Sequence, residues 1–421
     1  MAPNATTSPT PRERRLRVLP LLAALGPGII AASAGNDAGG IATYSADGAS
    51  YGYATLWMIF VMTFSLVIVQ EMAGRMGAVT GKGFAALIRE RFGVRPTLFA
   101  MICLLVSNAA TSVAEFAGIA AALQLFGVSK YISVPVAAIV VWLLVVRGSY
   151  KNVEKVLLVL SSVFLAYVVA AFMAKPDWGV VLKATVVPTF IPKPAFVLIV
   201  IATIGTTIAP WMQFFVQSNM VDKGASVKDL FYQRIDIIGG AIAANVVAWF
   251  IIVTTGTVLF PRGIAADSAE KAAQALAPVA GQYASALFAI GLFGASLLAA
   301  FVLPLTASYA VCEAFGFERG IDRTWAEAPV FNGIYTFVIF FGALFVLLPK
   351  APLVTIMVLS QAVNGMLLPF LLIFMMIIIN DRQIMGRYIN GRIYNTLGWT
   401  TVVVVIGLTV ALLAMQALGV K

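Results

Sequence analysis

Residues 25–48 read LGPGIIAASAGNDAGGIATYSADG, an apolar stretch interrupted at its middle by Gly35, Asn36, Asp37, Gly39 and Gly40. Glycine costs a helix interior roughly 1 kcal/mol per site relative to alanine, so a continuous helix is weak there. An ionisable group inside a membrane is costly and marks a functional site by default, which makes Asp37 the first candidate. A second interruption lies within residues 197–219, VLIVIATIGTTIAPWMQFFVQSN, where Gly205, Thr206, Thr207 and Pro210 fall at the midpoint. Proline removes a backbone donor and clashes with the preceding turn. Unwound backbone at membrane depth is tolerated only where it is buried in protein or lines a cavity. Two facing breaks and one carboxylate would therefore offer oxygen donors suited to a hard cation.

The composition makes both stretches membrane segments. Of 421 residues, 61% are hydrophobic and 11% charged, against about a quarter charged in a soluble protein. So few charges cannot coat an aqueous surface, and the remaining apolar surface must face lipid. Runs of about 20 apolar residues, long enough to cross a bilayer, fall near 20–48, 53–77, 96–124, 131–147, 154–174, 195–221, 235–260, 281–314, 328–348, 352–379 and 397–418. The interrupted runs are the first and the sixth. Breaks in corresponding positions of two halves point to an inverted-repeat carrier. The expected architecture is an all-α polytopic membrane protein with eleven transmembrane helices. It has a LeuT-type inverted repeat, with 20–174 and 195–379 as the five-helix repeats and 397–418 as an added helix. Residues 1–19 are polar, proline-rich and basic, and read as a disordered cytoplasmic tail. The apolar run that follows is too long for a signal-peptide core.

The net charge of +10 does not indicate nucleic acid, because the basic residues sit in short clusters between apolar runs and not in a patch with interleaved aromatics. Most of the 28 Lys and Arg residues fall in alternate connections. The positive-inside rule then places the N-terminus in the cytoplasm and the C-terminus outside. The connections 175–194 and 261–280 are too short for a soluble domain, and 265–281 suits a short amphipathic helix or a plain loop equally. Cys103 and Cys312 lie in apolar runs and form no disulfide or zinc pattern. The absence of histidine removes the commonest metal ligand and the usual proton shuttle. No nucleotide loop, triad or cofactor motif suggests an enzyme or a resident cofactor. Glu115, in SVAEFAG, reads as the second intramembrane acid, serving a cation or proton path or a structural pair. Gln361 and Asn364 share a helix face, Gln213 lies about a turn past Pro210, and Trp211 either walls the site or packs.

The chain resembles the Nramp divalent-metal transporters over nearly its whole length. The resemblance is carried by GPGIIAA (26–32), by Asp37-Ala38-Gly39-Gly40 at the family's Asp-Pro-Gly-Asn motif, and by Tyr51-Gly52-Tyr53 with Leu56-Trp57. It continues through QEMAGRMGAVTGKGFAALIRERFG (70–93), Ser360-Gln361 with Leu368-Pro369-Phe370, and NDRQIMGRYIN (380–390). The departures are informative. The family's Met-Pro-His of the sixth helix is Ala209-Pro210-Trp211, its Asn on the first helix is Gly40, its second His is Val216, and its Asp-x-x-Glu keeps only Glu115. This pattern is most like the Nramp-related magnesium transporters.

The resemblance implies a metal site built from Asp37, the Ala34 and Thr206 carbonyls, the positions of Gly40 and Ala209, and Gln213 or Gln361. Without a thioether at 209 the pocket is expected to be wide and all-oxygen. A soft sulfur ligand favours transition metals, whereas oxygen suits Mg²⁺, Ca²⁺ and Mn²⁺. The expectation is an alternating-access carrier for Mg²⁺ and also Mn²⁺ that is uncoupled from protons, since the groups of the family's proton route are missing. The carrier would be a monomer in a bacterial plasma membrane. The alternative is a proton-coupled Mn²⁺/Fe²⁺ importer. A sodium-coupled amino-acid carrier is disfavoured because Asp37 would repel the substrate carboxylate, and a channel would give far faster flux.

Overall fold

The computed structural model describes residues 35–146, 162–320 and 323–418. Helices dominate because chain in lipid must satisfy its backbone polar groups internally. The long helices are α1 (Ala38–Tyr51), α2 (Leu56–Thr80), α3 (Phe84–Phe92), α4 (Val94–Gln124), α5 (Lys130–Val146), α6 (Ala166–Ala174), α7 (Trp178–Val186), α8 (Pro194–Thr207), α9 (Pro210–Asp222), α10 (Leu230–Val258), α11 (Ala284–Phe315), α12 (Pro329–Val346), α13 (Leu353–Ile379) and α14 (Arg392–Ala417).

Among the described residues, eight helical stretches are long and apolar enough to cross a membrane. They coincide with eight of the eleven segments read from the sequence. The run at 131–147 appears as the shorter helix α5, while 20–48 and 154–174 lie partly outside the described residues, as does the whole of the 1–19 tail. The continuous sixth segment, 195–221, is two helices: α8 stops at Thr207 and α9 starts at Pro210.

Burial separates centre from rim. The α8–α9 pair is the most enclosed stretch and α14 the least. Val403, Val410 and Leu413 on α14 are exposed apolar residues, as a lipid-facing helix requires. At the centre, α4 packs on α11 and α13, α8 on α13, and α1 on α10. The α8–α13 crossing is set by small residues. A Cβ on Gly205 would collide with Gln361 O and Gly365 N, and one on Gly365 with Ile201 O. Close backbone approach through small residues is the usual way membrane helices pack.

The stretch 265–281 resolves into a short helix, Ala269–Ala273, whose N-cap Ser268 accepts from Lys271 N. Ala269, Ala272, Ala273, Ala275 and Leu276 are buried, so it rests on the core and is not a plain loop. Cys103 and Cys312 are free and buried.

Candidate functional site

The site grows from the two breaks. In the first, Asp37 is extended (φ −73°, ψ −178°) and caps α1, its Oδ1 accepting from Gly40 N at 2.7 Å. A helix start leaves orphan N–H groups and a positive end. Ala38 N–H, on the same turn, donates to Glu115 Oε2 at 3.2 Å. Two fully enclosed carboxylates, one from the break and one from α4, therefore converge on one helix N-terminus, and Glu115 Oε1 has no partner among the described residues. Glu115 is thus placed at the break itself.

The second break follows from Pro210. Because proline has no N–H, the Thr206 carbonyl loses the donor it would have four residues on. The chain leaves α8 at Ile208 (φ −121°, ψ 64°) and passes through extended Ala209 (φ −65°, ψ 139°), and Pro210 then begins α9 at a position where its missing donor is harmless. Ala209 O accepts from Met212 N at 3.1 Å. The Gln213 amide nitrogen, oriented to satisfy both carbonyls, donates to Pro210 O (2.6 Å) and Ala209 O (2.8 Å). Gln213 is therefore turned onto the break.

The two breaks meet at Gly40. A methyl group placed there would stand 2.9 Å from Thr206 Oγ1, 3.2 Å from Gly35 O and 3.4 Å from Asp37 Oδ1. Three oxygens thus converge on space that a side chain at residue 40 would fill. The Thr206 hydroxyl is buried and has no partner among the described residues. The sequence had singled out only its carbonyl. Gln361 lies against Gly39, where any Cβ would strike its amide. Gln361 Oε1 accepts from Asn364 Nδ2 (2.9 Å), and Asn364 is tied to Ser107 and Thr111 on α4. Its own Nε2 has no partner among the described residues. Trp211 is fully buried, its ring edge-on to Phe215 at 5.9 Å. Ala34 lies outside the described residues.

The Met212 side chain lies against Gly35, its Sδ 3.9 Å from where a Cβ on Gly35 would stand, and Sδ accepts from Gln70 Nε2 at 3.6 Å. A thioether therefore flanks the first break although residue 209 is alanine. Glu115, read from the sequence as the second intramembrane acid, is joined by Asp47 on α1, which is also fully buried; α1 continues past it to Tyr51. Among the described residues, no group of three or more His, Cys, Asp or Glu side chains could hold a metal ion, and the oxygens gathered at the break come from carbonyls, hydroxyls and the two carboxylates of Asp37 and Glu115.

A helix that starts at buried Asp37 and faces the interrupted sixth segment fits the fold of broken-helix membrane carriers, and solved structures agree. The manganese transporter of Eremococcus coleocola, in complex with an aromatic bis-isothiourea compound, is similar with a TM-score of 0.78 at 21% identity, covering 98% of this chain and 89% of that one. The amino-acid-bound MhsT, at 13% identity, gives a TM-score of 0.58 over 93% of this chain and 97% of its own. Within that fold, the sequence pattern of the Nramp family (natural resistance-associated macrophage protein-like) matches residues 28–415, and the chain belongs to this family. Curated relatives include the divalent metal cation transporter MntH of Bacillus subtilis, 28% identical over 402 residues (93% of this chain, 92% of the relative). The protein of the same name from Deinococcus radiodurans is 26% identical over 407 residues (93% and 89%).

Proposed function

We propose that this chain carries divalent cations across a membrane by alternating access, binding the ion at Asp37 between the two helix breaks. One observation carries the reading: Asp37 Oδ1, Gly35 O and Thr206 Oγ1 converge on the space left by Gly40. Carboxylate, carbonyl and hydroxyl donors suit a hard cation. The relatives bear names of divalent-metal and manganese transporters, which supports the same class of cargo.

Mn²⁺ is the cargo on which two finer readings agree, because oxygen ligands accept it as readily as Mg²⁺. The first reading adds Mg²⁺ and dispenses with proton coupling. It rests on the lost thioether at Ala209, the room at Gly40 and the lack of histidine. An inside-negative potential of 100 mV is worth about 4.6 kcal/mol for a divalent ion, enough to drive uptake unaided. The second reading is a proton-coupled Mn²⁺/Fe²⁺ importer, favoured by the relatives' names, by the Met212 sulfur beside Gly35 and by Glu115 next to Asp37.

Mn²⁺ uptake into proteoliposomes tests both. Saturable uptake supports the carrier, and uptake no faster than in empty liposomes contradicts it. A large excess of Mg²⁺ abolishes uptake on the first reading and spares it on the second. Internal acidification that accompanies uptake supports the second reading and contradicts the uncoupled one.

A further inference from the structure

Asp47 is unlike the other two acids of this region. Asp37 and Glu115 each accept from a backbone N–H at the start of α1. Asp47 lies in the body of that helix, with no helix end to cap. It is fully buried, and its Oδ1 has no partner among the described residues. Its Oδ2 receives only the Thr203 hydroxyl at 3.5 Å, the outer limit of a hydrogen bond. No Lys or Arg pairs with it among the described ion pairs. The Thr55 hydroxyl, near the same carboxylate, is itself buried and has no partner among the described residues. An unsatisfied buried acid calls for a physical explanation, and a missing ion is one of the few available.

Its setting supplies the rest. Gly40, Tyr44, Asp47 and Tyr51 are spaced i, i+4, i+7 and i+11, which puts them on one face of α1. That face meets α8 running antiparallel. Tyr44 OH and Thr207 Oγ1 are 3.0 Å apart, Thr203 reaches Asp47, and the Tyr51 and Phe196 rings lie 5.0 Å apart. A lane of hydroxyls thus runs from the oxygens at Gly40 to Asp47, about 10 Å along the axis at the rise of an α-helix. Thr207 Oγ1 donates to Thr203 O at 2.7 Å, so the Tyr44 hydroxyl donates to Thr207 and closes the lane between the two acids.

We propose that Asp47 is a second divalent-cation station. It would hold an ion that keeps part of its water shell between its carboxylate and the Thr203 and Thr55 hydroxyls, with Tyr44 as the bar between this station and Asp37. These donors are all hard oxygens. Two stations in series let an arriving ion favour release of the one ahead, as multi-site conduction requires. The proposal rests on the carrier reading above, and a binding count separates the failure of one from the failure of the other.

The full chain in lipid nanodiscs is dialysed to equilibrium against radioactive Mn²⁺. The wild type holds two ions per chain, Asp47→Asn and Asp37→Asn hold one each, and Asp47→Glu, which keeps the charge, retains two. Thr203→Val weakens the second site alone by about tenfold, the scale of losing one supporting contact. One ion in the wild type, still present in Asp47→Asn and absent from Asp37→Asn, overturns the second station and leaves the carrier intact. No bound ion in the wild type overturns both.

Discussion

At Gly40 and Glu115 single atoms decide between binding and clash. Gly40→Ala puts a methyl into the space shared by Thr206 Oγ1 and Gly35 O. Overpacking of this kind costs about 1–3 kcal/mol. The expected outcome is a modest fall in melting temperature with a much larger loss of Mn²⁺ uptake. Glu115→Gln keeps an acceptor for Ala38 N, whereas Glu115→Ala leaves that N–H unpaired and buried, a loss of about 1–3 kcal/mol. Thermal unfolding in detergent should therefore distinguish the two, with Ala well below wild type and Gln near it. The sequence made Asp37 legible because glycine and asparagine crowd around it. It hid Asp47, because an acid near the end of an apolar run reads as the run's boundary. It also hid Met212 and the Thr206 hydroxyl, because composition does not say which way a side chain turns at a helix break.

The break in the sixth segment is the element whose chemistry is most local. Pro210 and the orphaned Thr206 carbonyl are four residues apart, so one residue type encodes the interruption. Pro210 opens α9, where its fixed φ suits the first helical position and its missing donor is harmless. Pro210→Ala gives the Thr206 carbonyl a donor and allows α8 and α9 to join, so the expected outcome is loss of uptake with only a small change in stability, about 0.4–1 kcal/mol, in thermal unfolding. Unchanged uptake in this variant would mean that the break is not part of the transport site. The breaks were legible for the same reason, since Gly and Pro act where they stand. The crossing of α8 on α13 through Gly205 and Gly365 was not legible, because it depends on which helices become neighbours.

The whole molecule is tied together at the end where the basic connections cluster. Arg75 on α2 donates to Tyr388 O (2.9 Å), Ile389 O (3.2 Å) and Asn390 Oδ1 (2.5 Å), and pairs with Glu71 at 3.2 Å. Glu71 also pairs with Arg234 on α10 at 2.7 Å. This bolts the segment before α14 to α2 and α10. Arg75→Ala leaves three acceptors unpaired and should destabilise the protein by about 3 kcal/mol, read as a lowered melting temperature without a change in the ion count. Eight of the eleven spanning segments were legible because lipid imposes long apolar runs on the composition. The acceptors of Arg75 at Tyr388, Ile389 and Asn390 were not, since they lie more than 300 residues away in sequence.

Asp37 is the acid on which ion binding between the two breaks depends. The direct measurement is radioactive Mn²⁺ uptake into proteoliposomes under an inside-negative potential, with wild type and Asp37→Ala reconstituted at equal density. Uptake by the wild type and none above empty liposomes for Asp37→Ala is the predicted result, and equal uptake by both would contradict it.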